Sequence, residues 1–212
     1  MDKSAKPTLL IFGYGENLGR ALANRYLKEG YRVVGFNRSG TSELTSNTNF
    51  SIKKIDLAKE GLEEKIRGKI ANYKNINTVI FNANNFTEVR PSTLDKEIIL
   101  EVLANTLVPY IEIAKVFLPI LLKSNGSLIV TSNGTSNDPW LKAAGMGISK
   151  AGLENYQKAL ALEFKDTVLK VATVKILSNI KNNESKECVN IAEEYYKISV
   201  LPKKFPQEII LK

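Results

Sequence analysis

TLLIFGYGENLGRALANRYLKEG, residues 8–30, reads as a buried strand, a glycine turn and a helix in immediate succession. Leu9 to Phe12 form a continuous apolar run, which suits a parallel strand covered on both faces better than a half-exposed, alternating one. Leu18, Ala21, Leu22 and Tyr26 then recur at helical spacing, so the hydrophobic period changes from strand to helix across Gly13 to Gly19. At such a junction glycines let the backbone turn tightly and approach a pyrophosphate. The free N–H groups and positive dipole end of the helix attract the anion. The spacing is Gly13-x-Gly15-x-x-x-Gly19 rather than the plain G-x-G-x-x-G. Its bland reading is a strand-to-helix turn that needs glycine only for packing. On the phosphate reading, Gly13, Tyr14, Gly15, Asn17, Leu18 and Gly19 contact a cofactor.

Downstream, the strand and helix patterns alternate. Arg32 to Phe36 predicts a second strand, ending in Asn37-Arg38-Ser39. A carboxylate there would grip ribose hydroxyls, whereas a basic residue accommodates a 2′-phosphate, so Arg38 favours NADP(H) over NAD(H). FSIKKIDL predicts a third strand ending at Asp56, residues 60–72 a helix, and Asn77 to Phe81 a fourth strand followed by Asn82-Ala83-Asn84-Asn85. Ligands bind at that end of an open parallel sheet. Residues 94–122 carry helical patterning over two helices or one bent one, with Pro109 and Pro119 limiting continuity. A fifth strand at Ser127 to Thr131, a long helix at Ala143 to Phe164, a sixth strand at Lys170 to Ile176, a short helix around Cys188 to Ile198 and a final EIIL complete the series. Six or seven strands with intervening helices indicate an α/β fold, a Rossmann-type doubly wound parallel sheet in three αβα layers, with residues 1–212 forming a single domain.

Composition narrows the chemistry. There is no histidine and a single cysteine, Cys188, which excludes histidine acid–base catalysis, an internal disulfide and a Cys/His zinc site. The net charge of +8 comes from lysines scattered among acids, the pattern of a solvated surface rather than of a nucleic-acid partner. The N-terminal stretch lacks an apolar leader, and VFLPILL at 116–122 falls short of the roughly 20 residues of a membrane span. A cytoplasmic protein without a membrane partner is expected.

In this order, the pieces resemble the short-chain dehydrogenase/reductase family. IFGYGENLGRALA is similar to its T-G-x-x-x-G-x-G-R-A-x-A turn, with Phe12 at the threonine and Asn17 at the middle glycine. Asn tolerates a left-handed backbone better than other side chains, which rationalises the second substitution. IDL resembles the family's adenine-holding pair, implying Asp56 and Leu57, and FNAN resembles N-N-A-G, implying Asn82 and Ala83 with Asn84 at the glycine. LANTL places Asn105 at the helix asparagine and ISKAGL places Lys150 at the active-site lysine. The position of the family's catalytic tyrosine, four residues before that lysine, holds Met146, so the resemblance implies a divergent member lacking the Tyr of Tyr-x-x-x-Lys. The serine position falls on Asn133, beside Ser132, and Leu177-Ser178 stands for the Pro-Gly after the sixth strand, with Ile180 following in the cofactor loop.

The resemblance implies an NADP(H)-binding oxidoreductase acting on a small-molecule carbonyl or alcohol, with Lys150, Asn105 and Ser132 in the catalytic set and Lys150 also holding nicotinamide ribose hydroxyls. Without the tyrosine, proton delivery is open among Lys150, Ser132 and Tyr14. Tyr110 and Tyr156 are expected to point away or lie too far along their helices. The rival reading is a non-catalytic dinucleotide-binding sensor or partner subunit. A homodimer through the helices near 98–122 and 143–164 is expected. Met146 and Cys188 also suit plain core packing, and Trp140 either lines the pocket mouth or packs its own loop.

Overall fold

The computed structural model describes residues 6–44, 47–178, 180, 182–202 and 207–211. The apolar run at the start becomes β1 (Thr8–Phe12), every residue of which is buried. It lies in a seven-stranded sheet with β2 (Arg32–Asn37), β3 (Phe50–Lys54), β4 (Ile76–Phe81), β5 (Ser127–Asn133), β6 (Lys170–Ile176) and β7 (Glu208–Leu211), in the order β3-β2-β1-β4-β5-β6-β7. All neighbours pair in parallel. The EIIL run is thus a seventh strand. The strand order reverses between β1 and β4, which opens a crevice at their carboxyl ends.

Alternation along each strand sorts the core into two layers. Leu10, Phe12, Val34, Phe36, Val79 and Phe81 face α2 (Leu62–Ile70), α4 (Leu107–Ser124) and α5 (Ala144–Glu163). Leu9, Ile11, Val33, Ile80, Ile129 and Val174 face α1 (Leu18–Lys28) and α6 (Lys186–Val200). Phe12 stacks on Phe36 with ring centroids 4.5 Å apart, so the residue at the turn's threonine position serves the core. Burying each such ring contributes about 1.5–3 kcal/mol.

The helical stretch expected over 94–122 divides into α3 (Lys96–Asn105) and α4, and the break is at Thr106 rather than at either proline. Thr106 leaves helical geometry (φ −131°, ψ −80°), and its hydroxyl donates to the Val102 carbonyl at 2.6 Å. Pro109 occupies the first turn of α4, where an N–H has no intrahelical acceptor, so it costs nothing there. By length and composition alone Lys96–Ser124 would cross a bilayer. One face of this stretch is spent inside the fold, with Tyr110, Ile113, Phe117 and Leu121 fully buried, while Leu100, Val108 and Ile111 stay exposed. The tail helix α6 is longer than expected: Ser185 caps it, accepting from the Cys188 N–H, and Arg25 of α1 pairs with Glu193 and lies 3.8 Å over the Tyr196 ring.

Candidate functional site

The turn after β1 is built by two glycines with different tasks. Gly13 has φ +79°, and its N–H and that of Tyr14 both donate to the Phe36 carbonyl. A Cβ on Gly13 would sit 2.4 Å from the backbone nitrogen of Ala83, so only glycine lets β1 and the loop after β4 approach this closely. Asn82 closes the contact, donating from its side chain to the Gly13 carbonyl at 3.1 Å. At Gly15 an added Cβ would meet nothing within 4 Å, because the residue faces an open cleft. Asn17 begins α1 without a side-chain cap and no acid occupies the first helical turn, while Glu16, which lines the same cavity just before the helix, has its charge offset by Arg20 at 3.8 Å. The rationale given above for Asn17 does not hold: its φ is −89°, and no left-handed conformation is required there.

Two adjoining cavities, of about 510 and 410 Å³, make up the cleft. The first is lined by Gly13, Tyr14, Asn37, Arg38, Ser39, Leu57, Asn85 and Asn105, the second by Gly15, Asn17, Leu18, Gly19, Ser132, Lys150 and Ile180. Asn82 and Asn84 border both, so the cavities are two halves of one cleft across the switch point. Ala83 lines the first half as well. Of the residues expected at the site, only Asp56 is not among these lining residues; its carboxylate accepts from the Ala58 N–H at 3.1 Å and shapes its own turn.

At the far end of the first half, Asn37 organises the loop, accepting from the Gly40 N–H at 2.7 Å and donating to the Thr41 carbonyl. Arg38 is exposed and forms no ion pair with any described residue, whereas nearby Arg20 is held by Glu43 at 2.7 Å. Tyr14 is the only tyrosine among the described residues that line the cleft. Its ring packs over Gly35, and its hydroxyl bonds Ser42 at 2.9 Å. Burial raises its pKa, so it is a poor proton donor at neutral pH.

The second half holds Lys150, 3% exposed, whose Nζ donates to the carbonyls of Thr131 at 3.1 Å and Ala83 at 3.4 Å. Burial pushes its pKa down to about 8, against a smaller upward pull from Glu154. Above it, the Met146 sulfur accepts from Asn84 Nδ2 at 3.6 Å and Asn133 Nδ2 at 3.7 Å. The residues that the resemblance aligns with the glycine and serine positions therefore both contact the one aligned with the tyrosine. Asn105, the last residue of α3, donates back to the Glu101 carbonyl at 2.9 Å.

Ser132 points elsewhere than its neighbour Asn133. Its hydroxyl donates to Glu154, which also accepts from Ser136 at 2.6 Å and pairs with Lys175 at 3.0 Å. Glu154 and Lys175 are both buried. Burial works against the Lys175 charge, but Glu154 and Glu208 hold its pKa above the usual value. Sequence reasoning missed this cluster. Its signals were a lysine inside the apolar strand KVATVKI and an acid one helical turn after Lys150. Tyr110 is buried against Gln157, with the Tyr156 ring edge-on to it, away from the cleft. Cys188 is fully buried, and burial raises its thiol to about 11, as befits a small hydrophobe.

A family profile described as short chain dehydrogenase matches residues 7–187. An NADPH-dependent pterin aldehyde reductase of Arabidopsis thaliana is 27% identical over 191 residues, which cover 85% of this chain and 77% of that protein. Human 17-beta-hydroxysteroid dehydrogenase type 2 is 29% identical over 196 residues, covering 84% of this chain, which spans about half that relative's length (49%). Among solved structures, ElxO with NADP bound superposes with a TM-score of 0.85 at 16% identity, covering 97% of each chain. A Brucella ovis oxidoreductase in complex with a partially ordered NAD gives 0.80 at 17% identity, covering 98% of this chain and all of the other. At these identities the superpositions establish the fold.

Proposed function

Since the chain belongs to the short-chain dehydrogenase family, we propose that it is an NADP(H)-dependent oxidoreductase of carbonyl or alcohol groups in which Lys150 delivers the proton that a tyrosine delivers in the family pattern. The observation that carries this reading is Lys150 itself, a buried ammonium in the cleft with a pKa of about 8 and two carbonyl acceptors for its three protons. A donor poised near the working pH transfers a proton with useful driving force while remaining largely protonated.

The cleft suits a dinucleotide. Open space at Gly15 and the uncapped start of α1 receive a pyrophosphate. The unpaired Arg38 receives a 2′-phosphate, which favours NADP(H), and Leu57 and Ala83 give apolar walls. The reduced nicotinamide supplies the hydride when bound. With two protons on the Thr131 and Ala83 carbonyls, Lys150 has one N–H left, which would bond a ribose hydroxyl and pass its proton through that hydroxyl to the nascent alkoxide, and the Asn84 and Asn133 carboxamides offer further N–H donors. The two curated relatives are named for a pterin aldehyde and a hydroxysteroid, which agrees on carbonyl chemistry and differs on substrate.

A second reading, a dinucleotide-binding module without turnover, draws its support from the Met146, Asn84 and Asn133 contact, which places no titratable hydroxyl at that point. Calorimetric titration with NADPH and NADH, followed by NADPH oxidation over a panel of carbonyl compounds, separates the two. Binding with turnover supports the enzyme, binding alone supports the module, and no binding of either cofactor removes both. We further propose a homodimer through α4 and α5, whose outer faces leave Val108, Ile111, Ile148 and Leu162 exposed. Light scattering at micromolar concentration is expected to give twice the chain mass.

A further inference from the structure

Two loops at the carboxyl end of the sheet are fastened to each other. The loop after β4 carries Phe86, Glu88 and Val89, and the loop after β5 carries Trp140, Lys142 and Ala143. The Val89 N–H donates to the Lys142 carbonyl at 3.0 Å and the Ala144 N–H to the Val89 carbonyl at 3.3 Å, forming a parallel bridge between Val89 and Ala143. Both bridge residues are buried, and Lys142 pairs with Glu88 at 3.0 Å. On this frame Phe86 and Trp140 stack with centroids 5.5 Å apart and planes 15° apart, yet they stay 48% and 50% exposed. Loop packing alone does not account for two large coplanar rings half in water, because each Å² of apolar surface left exposed forgoes about 25 cal/mol of burial.

The position is functional ground. Phe86 follows directly on Asn85, which lines the first half of the cleft and whose Nδ2 is shielded from solvent without an acceptor among the described residues. Ala143 directly precedes α5, the helix that carries Met146 and Lys150. The frame's charges, Lys142 and Glu88, are spent on each other.

We propose that Phe86 and Trp140 form the substrate platform of the reaction proposed above, and that its substrate is a flat, uncharged aromatic or heteroaromatic carbonyl compound. Coplanar rings extend their stack onto a third flat ring and gain little from a puckered or aliphatic one. With the loops already braced, little ordering cost remains on binding. This inference rests on the oxidoreductase reading of the cleft.

Trp140 is the only tryptophan, so its fluorescence reports the platform directly. The probes are acetonaphthone, flat, and cyclohexyl methyl ketone, puckered, each titrated into the protein with and without saturating NADPH. Expected are saturable quenching of Trp140 by acetonaphthone but not by the cyclohexyl ketone, and at least about fivefold weaker acetonaphthone binding in Phe86→Ala. Trp140→Phe, followed by calorimetry, keeps a ring and is expected to keep most of the affinity. Acetonaphthone that fails to quench, quenches without saturating, or binds Phe86→Ala as tightly as the parent protein overturns the platform. Saturable quenching in a protein that shows no NADPH binding would support the platform and overturn the cofactor reading instead.

Discussion

Divided by the elements that supply its lining rather than by its two cavities, the cleft has two halves that treat substitution differently. The half formed by β1, β2 and α1 works through its backbone: a left-handed Gly13, an open Gly15 and the uncapped N–H groups of a helix. Phe12 and Asn17 depart from the family's turn there, and the geometry accommodates both, since Phe12 turns into the core and Asn17 keeps an ordinary negative φ. The half formed by the loop after β4, the end of β5 and the start of α5 works through side chains. Its departures, Asn84, Asn133 and Met146, come as one contacting set. Recognition by backbone survives changes in side chain. Proton chemistry depends on the side chains themselves, and here Asn84 and Asn133 both pack against Met146.

The largest expected effect separates the two glycines of the turn. Gly13→Ala forces a side chain into a left-handed backbone and onto the Ala83 nitrogen, and should cost about 3 kcal/mol or more of stability in a denaturant titration. Gly15→Ala, built into open space, should fold normally and lose about tenfold in NADPH affinity because the methyl intrudes on the pyrophosphate seat. Equal stability of the two variants would break the division of labour between them.

Lys150→Met tests the other half. Burial holds the folded Lys150 at about 8, below its ordinary 10.5, so between these values the folded chain binds fewer protons at this site than the unfolded one. The penalty is complete below pH 8 and is relieved as pH rises toward 10.5. The variant should therefore be more stable than the parent by about 1–3 kcal/mol at pH 7, with the difference shrinking by pH 10. The parent's cofactor affinity is expected to fall above pH 8 as the ammonium discharges, and the variant's is expected not to. A stability difference that does not change with pH would place the lysine charge outside the account.

Met146→Tyr combined with Asn133→Ser should raise carbonyl reduction by about tenfold, and Met146→Tyr alone by less, because the Asn133 carboxamide already occupies the space beside the sulfur. The smallest effect concerns the cofactor's far end. Arg38→Asp should shift the NADP-to-NAD affinity ratio by about fivefold toward NAD, since a carboxylate repels a 2′-phosphate and accepts from ribose hydroxyls. An unchanged ratio would mean that the guanidinium stays in solvent.

Much of this arrangement was legible in the sequence. The change of hydrophobic period at Gly13 to Gly19 located the switch point, and alternating apolar runs gave the strands, because parallel strands buried on both faces leave a strong local signal. The break at Thr106 was not legible, since prolines are the visible interrupters and here both fit inside a helix. Asp56 and Ser132 show what motif reading leaves out: the carboxylate also accepts from Ala58 and the hydroxyl donates to Glu154, partners set by the fold. The contact of Asn84, Asn133 and Met146 spans 62 residues and carries no local trace.

The central claim is that Lys150 carries the proton in place of a tyrosine, and the most direct measurement is the rate of NADPH oxidation with a flat aryl ketone, comparing the parent with Lys150→Met shown to be folded and saturated with cofactor. The account predicts slow turnover in the parent, rising as Lys150 becomes protonated below about pH 8, and a loss of about 10² or more in the variant. Undiminished turnover in the folded, cofactor-saturated variant would contradict it.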